Sequence, residues 1–153
     1  MAFVSRCFAG PAAGRRGFTL IEVMIVVAIV AILSLIAYPN YTDYLRRGHV
    51  QEAPATLLAY RAKMEQYYQD SRSYAKDGDC AIAKPAAPAV EYFRYDCSLS
   101  SSGQGYTATA TGVGRTVTGL AYSIDQGNNR NTTCTGCAWN FSGVQNTWVL
   151  RKP

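Results

Sequence analysis

An α+β fold, one long N-terminal helix laid on a four-stranded antiparallel sheet, is predicted by three features of the sequence. An apolar run fills Phe18 to Ala37, and an apolar stripe at helical spacing continues from Leu45 to Tyr67. Beyond Gly78 the chain changes to Ala and Pro and then to Thr, Ser, Gly, Tyr and Asn, which favour strands and turns. The 153 residues suffice for one compact domain with an appendage, not for two domains. With 48% hydrophobic and 16% charged residues, the chain lacks the compositional signature of disorder.

The apolar run holds 20 residues, of which only Thr19, Glu22 and Ser34 are polar. A bilayer core of ~30 Å takes about 20 helical residues, so the run is long enough to span one. Arg15 and Arg16 lie just before it, and the positive-inside rule then places the N-terminus in the cytoplasm. A secretory signal fits poorly, because its apolar region is ~7–15 residues long and ends at a small-residue site. This run ends instead in Tyr38-Pro39. A plain anchor leaves Glu22 unexplained. A carboxylate at a helix centre in a bilayer costs ~2.5–3.5 kcal/mol and needs a cation, yet no Lys, Arg or His lies between Gly17 and Tyr38. A free α-amino group at Phe18, released by cleavage after the small Gly17, would supply that cation, in the same chain or in a neighbour.

The stripe of Leu45, Val50, Ala53, Leu57, Tyr60, Met64 and Tyr67 alternates with polar Arg46, Arg47, Gln51, Glu52, Arg61 and Lys63. A helix from Phe18 to about Gln69 would be roughly 80 Å long at ~1.5 Å per residue, more than a small domain can bury. Its first half therefore needs lipid or other subunits as cover. Pro39 and Pro54 each remove an intrahelical donor and are expected to kink or loosen the helix. Tyr60, Met64, Tyr67, Tyr68 and Tyr74 are expected in the core, not as a stacking platform for single-stranded nucleic acid. Ser71 to Gly78 is expected as the helix exit.

Four strands are expected at Glu91 to Ser98, Tyr106 to Thr111, Leu120 to Asp125 and Asn146 to Leu150. They are separated by turns at Ser101-Ser102-Gly103, Gly112-Val113-Gly114 and Gly127-Asn128-Asn129. Alternation is plainest in Tyr106-Thr107-Ala108-Thr109-Ala110-Thr111, apolar on one face and threonine on the other. Such a sheet lays one face on the second half of the helix. Trp139, Phe141 and Trp148 are expected to cover it.

Of five cysteines, Cys7 precedes the membrane run, leaving Cys80, Cys97, Cys134 and Cys137 on the far side of the membrane, where disulfides form. Three connectivities exist. Cys80 to Cys97 with Cys134 to Cys137 is favoured, closing one loop between helix and first strand and one small C-terminal staple. Zinc is disfavoured by the presence of only one C-x2-C pair, and a redox role for Cys134-Thr135-Gly136-Cys137 by its irregular setting.

Catalysis finds little to stand on, and no cofactor or metal is expected. The single histidine, His49, lies among basic residues and is expected to be solvated or to face lipid headgroups. Asp77, Asp79, Glu91 and Asp125 show no spacing that pairs two carboxylates. Asp77-Gly78-Asp79 is a fragment of a calcium loop without its remaining ligands. The net charge of +5 is concentrated at Arg6, Arg15 and Arg16, since the remaining 12 basic and 10 acidic residues give only +2. That balance gives no support to nucleic acid as a partner.

Arg15-Arg16-Gly17-Phe18-Thr19-Leu20-Ile21-Glu22-Val23, with the apolar run ending in Ala37-Tyr38-Pro39, resembles the prepilin leader and N-terminal helix of type IV pilins and type II secretion pseudopilins. The resemblance covers about the first 45 residues. It implies the pilin fold and three parts: a leader 1–17 that is removed, a transmembrane and assembly half-helix 18–44, and a globular domain 45–153. It implies cleavage by prepilin peptidase between Gly17 and Phe18, N-methylation of Phe18, and pairing of Glu22 with the amine of a neighbouring Phe18 during assembly. Pro39 matches a proline around which pilin helices lose order in the fibre.

The implied partners are other pilin subunits, the prepilin peptidase and an inner-membrane assembly platform. The implied location is the inner membrane before assembly and an extracellular fibre afterwards. The tyrosine-rich helix, Tyr92-Phe93-Arg94-Tyr95-Asp96-Cys97 and the Trp148-Val149-Leu150-Arg151 ending look most like minor pilins of type IVa pili. The resulting expectation is a structural pilus subunit, not an enzyme, supporting adhesion, twitching motility or DNA uptake. Two alternatives are a type II secretion pseudopilin and a DNA-receptor pilin. The second requires Arg94, Arg115, Arg130, Arg151 and Lys152 to converge on one face.

Overall fold

The structure, a computed structural model, describes residues 17–141 and 143–152. They divide into two compact units that meet between Tyr38 and Pro39. Arg6, Cys7, Arg15 and Arg16, expected in the leader, lie outside the described residues.

The first unit is the start of helix α1 (Leu20–Val50). Thr19 caps it, its hydroxyl accepting the Glu22 N–H at 3.3 Å. This Thr-x-x-Glu spacing is that of a capping box, and a carboxylate in the first turn also suits the positive end of the helix dipole. The side chains that follow are those a lipid phase would solvate: Leu20, Ile21, Val26, Ile32 and Leu35 are all exposed. The helix is long and apolar enough to cross a membrane, and none of its most apolar window is buried.

The second unit begins at Pro39, inside α1. Pro39 cannot donate to the Leu35 carbonyl, and its own carbonyl accepts the Thr42 hydroxyl at 2.9 Å. The helix continues to Val50, loosens for one residue at Gln51, whose backbone stays helical at φ −64° and ψ −20°, and resumes as α2 (Glu52–Ser71), so the long helix expected from the sequence is present with a local break. At the break the Gln51 N–H reaches only the Gly48 carbonyl, at 3.2 Å. Pro54 stands in the first turn of α2, where a missing N–H costs least. Arg72, left-handed at φ 54°, ends α2 by donating its N–H to the Tyr68 carbonyl.

A hairpin follows, β1 (Ala75–Lys76) with β2 (Asp79–Cys80). Its turn residues Asp77 and Gly78 both have positive φ, which an Asp-Gly pair supplies at little cost. The main sheet is an antiparallel meander of five strands in chain order: β3 (Phe93–Ser100), β4 (Gly105–Gly112), β5 (Leu120–Asp125), β6 (Arg130–Cys134) and β7 (Val144–Gln145). Register pairs Tyr95 with Ala110, Ala110 with Tyr122, and Tyr122 with Thr132. These residues therefore share the face that meets the helix.

Val50, Ala53, Leu57, Tyr60 and Met64 of the helices bury against Phe93, Tyr95, Tyr106, Tyr122, Leu120 and Ile124. Ala108 and Ala110 in the middle of that face are small enough to let α2 approach β4. Leu57 is 1% exposed, and its truncation to Ala would cost about 2–5 kcal/mol. Most of the tyrosine stripe is core: Tyr60, Met64 and Tyr74 are buried and Tyr68 stacks on Tyr74, whereas Tyr67, expected there too, is half-buried and lies outside the core cluster. Trp139 is buried, and Phe141 and Trp148 pack on the core's edge.

The expected strand at Asn146 to Leu150 is not one. The fourth and fifth strands are β6 and the two-residue β7. The segment after β7 is instead held by side chains. Buried Thr132 donates to the Thr147 carbonyl at 2.8 Å and accepts the Val149 N–H at 3.0 Å. Tyr122 donates to the Val149 carbonyl at 2.7 Å, and the Trp148 indole to the Ser123 carbonyl at 3.0 Å.

Candidate functional site

Gly17 and Phe18 precede α1 as an exposed, non-helical lead. A side chain added at Gly17 would meet nothing within 4 Å, and Phe18 is 82% exposed. Glu22 lies one turn into the helix among exposed apolar residues, with Thr19 bonded to its backbone. The capping role of Thr19 was readable in the sequence, as a Thr three residues before a Glu.

Cys80 and Cys97 form a disulfide with Cα atoms 6.3 Å apart, tying β2 to the edge strand β3. Cys134 and Cys137 form another at 5.3 Å, closing the chain after β6. Gly119, at φ +81°, lies against this second loop. A Cβ there would stand 2.4 Å from the Thr135 carbonyl oxygen.

The acids of the globular unit are held by structure. The Glu52 carboxylate accepts the N–H groups of Glu91, Tyr92 and Phe93 at 2.9 to 3.1 Å. It fixes the start of β3 to the helix break, a role that sequence spacing gave no sign of. Asp79 accepts the Cys80 N–H and pairs with Lys84, and these partners hold its carboxyl below the usual range. Asp125 accepts the Asn129 N–H and side-chain amide. Among the described residues, no group of three His, Cys, Asp or Glu side chains is placed to hold a metal ion. His49 is not solvated as expected. Its ring stacks on Tyr92 at 3.9 Å and its Nδ1 lies 2.7 Å from the Thr116 hydroxyl. Arg46 bonds the Thr116 carbonyl and pairs with Asp43, so the end of α1 holds the β4–β5 loop.

The five basic residues required to converge do not form one face. Arg94 lies at the start of the edge strand β3 beside Asp96, and Arg115 in the β4–β5 loop at the same end of the sheet. Arg130 opens β6 opposite Ile124, at the other end and three strands away. The C-terminal segment gathers a different set. Arg130 lies over the Trp148 ring, 4.8 Å from its centroid. On one side of Thr147, Arg47 and Arg151 flank an open, largely apolar cleft of about 590 Å³ floored by Trp148, Val149 and Leu150. On its other side is a polar cleft of about 620 Å³ lined by Asn128, Asn129, Arg130, Asn131, Asn146 and Thr147. Sequence reading passed over Arg47 and these asparagines; the cluster of asparagines around the β5–β6 turn was the available signal.

Comparison with known proteins agrees with this architecture at both ends of the chain. The prokaryotic N-terminal methylation motif matches residues 13–38, and the family described as type IV minor pilin ComP, DNA uptake sequence receptor, matches residues 39–135. The fimbrial protein EcpC of Eikenella corrodens is 34% identical over 114 residues, covering 72% of this chain and 73% of that protein. The type IV major pilin protein PilE1 of Neisseria gonorrhoeae is 38% identical over 73 residues, 48% of this chain, and the match spans only 34% of that relative's length. Among solved structures, the non-core minor pilin PilV of Neisseria meningitidis superposes with a TM-score of 0.50 at 20% identity, over 63% of this chain and 94% of that one, which shows the shared fold. With a methylation motif at the head of an exposed apolar helix and the ComP domain across most of the globular unit, the chain belongs to the type IV minor pilin family.

Proposed function

We propose that this pilin is anchored in the inner membrane by α1 with its N-terminus in the cytoplasm, is cut by prepilin peptidase between Gly17 and Phe18, and is methylated on Phe18. It then enters a pilus through an assembly platform, Glu22 meeting the Phe18 amine of a neighbouring subunit. Its globular domain contacts DNA during uptake. The observation that carries the DNA reading is the match of residues 39–135 to a family described as a DNA uptake sequence receptor. The unneutralised arginines Arg47, Arg130 and Arg151 around the C-terminal segment support it, since none is ion-paired among the described residues. The processing reading rests on the methylation motif and on an intramembrane carboxylate that needs a cation.

Intact mass and N-terminal sequencing of protein from sheared filaments test the first part, and retention of duplex DNA by the mature protein in nonionic detergent tests the second. The expected results are a methylated Phe18 terminus with a mass four hydrogens below the reduced chain, and retention that weakens steeply as salt is raised. An uncut chain in filaments would overturn the processing reading. Absence of retention at low salt would overturn the DNA reading.

A further inference from the structure

On the reading that this pilin contacts DNA, we propose that the polar cleft between the β5–β6 turn and Asn146-Thr147 reads base edges in a DNA groove, through the amides of Asn131 and Asn146 and the guanidinium of Arg130. The cleft arises from register. β7 pairs with β6 only at Thr132 and Thr133, so Arg130 and Asn131, paired with β5 on one side, extend past the end of β7 on the other. The gap is bordered by four asparagines and one arginine. Side-chain amides form paired hydrogen bonds with adenine N6 and N7, and arginine with guanine O6 and N7, which makes this donor set suited to base edges.

Three features distinguish the cleft from a solvated loop. First, its walls are fixed. Thr132, fully buried, grips Thr147 and Val149, and the Trp148 indole is tied to Ser123. Second, its cation is uncommitted to an acid. Arg130 lies over Trp148 and donates through Nε to the Asn128 side-chain oxygen at 3.3 Å, with no carboxylate partner among the described residues. Third, the adjacent acid is occupied, because Asp125 is spent on the Asn129 N–H and amide. The amides of Asn131 and Asn146 have no protein partner among the described residues, so they are free to bond a ligand. Arg47 and Arg151, across Thr147, lie where they would meet phosphates flanking the bases read. Base-edge contacts specify and phosphate contacts hold, so the two sets of residues separate in experiment.

The test uses the mature full chain in nonionic detergent and a pool of short duplexes with a randomised centre, with sequencing of the bound fraction. The wild type should enrich a defined sequence. N131A/N146A should still retain the unselected pool to within about threefold at low salt but lose the enrichment, with discrimination falling on the order of tenfold per amide removed. R47A/R151A should weaken retention of every sequence and flatten the salt dependence while leaving the enriched sequence unchanged. Unchanged thermal unfolding would certify the variants, and N131S, which removes the amide without adding charge, is a second probe of the same position. Enrichment of the same sequence by N131A/N146A and by N131S would overturn the proposal while leaving the DNA reading standing. Failure of the wild type to retain any duplex would overturn both.

Discussion

Glu52 and Tyr92, 40 residues apart, are joined by a bond from the Tyr92 N–H to the Glu52 carboxylate at 3.1 Å, with the Glu91 and Phe93 N–H groups on the same two oxygens. One side chain on the first turn of α2 thereby satisfies three consecutive backbone donors and starts β3 in register. Hydrogen bonds to an ionised group are worth about 1.5–3 kcal/mol, and orphaned donors add a desolvation cost. Glu52→Ala should therefore destabilise the globular unit by about 3 kcal/mol, and Glu52→Gln by less, since the amide oxygen still accepts. Thermal unfolding of the mature protein in detergent measures both, and a change within error for Glu52→Ala would refute the clamp.

Thr132 makes a similar join by different means. Its hydroxyl is both donor to Thr147 and acceptor from Val149, inside a site closed to water. Thr132→Val keeps the volume and orphans both backbone groups, at a cost of about 2 kcal/mol. Thr132→Ser keeps both bonds and should lose less than half of that. The C-terminal segment should loosen first, read as faster hydrogen exchange at Val149 and a red shift of Trp148 emission. Exchange at Val149 equal to wild type in the valine variant would mean that the segment is held elsewhere.

These two residues mark where the sequence was legible and where it was not. The helix stripe and the Tyr106-to-Thr111 strand could be read because burial and strand geometry impose periods of 3.6 and 2 on apolar side chains, and the disulfide partners because each pair closes a short local loop. β6 was missed because Arg130-Asn131-Thr132-Thr133-Cys134 has little apolar alternation; its inward residue is a threonine satisfied by chain 15 residues on. Trp148-Val149-Leu150 looked like a strand for the complementary reason, being apolar without having a ladder to join. The Asp77-Gly78 hairpin carried a readable turn signal that the calcium-loop likeness obscured. At the N-terminal end the expectation rests on one residue, Glu22, whose backbone N–H is capped by Thr19. The cleft beside Trp148 was not legible, because it depends on where β7 stops pairing.

The core tyrosines make the fold sensitive to alkali. Burial, reinforced by the charge of Asp79, pushes the Tyr60 hydroxyl up to about 12. Burial and then the Glu65 carboxylate that accepts its proton push Tyr74 to about 12. Burial raises Tyr95, Tyr106 and Tyr122 as well. Each folded value lies above the ~10 of an unfolded tyrosine, so this stability is complete below pH ~10 and is lost as pH rises through the folded values. Phenolate absorbance should therefore show a late cooperative step that coincides with loss of far-ultraviolet ellipticity near pH 12. All 11 tyrosines titrating together near pH 10 with the fold intact would contradict it.

Glu22 offers the sharpest separation of anchoring from assembly. As the third residue of α1, capped through Thr19, it adds only about 0.3–1 kcal/mol to the helix through the dipole. Its removal by Glu22→Val leaves an uninterrupted apolar face, which should insert in the membrane at least as well as the wild type. On the proposed processing, cleavage should also continue, because the site assigned to it is Gly17, where a bulky Gly17→Arg should instead leave an uncut, membrane-held chain. On the proposed assembly, Glu22→Val removes the charge that a neighbouring Phe18 amine would need in a low-dielectric bundle. Apolar side chains gain little in passing from lipid to protein, so on that proposal the pair sets register. Incorporation into sheared filaments should fall at least about tenfold, equivalent to ~1.4 kcal/mol, with the mature chain accumulating in the membrane fraction. Wild-type incorporation of the valine variant would show that helix packing alone selects the subunit's place in the fibre.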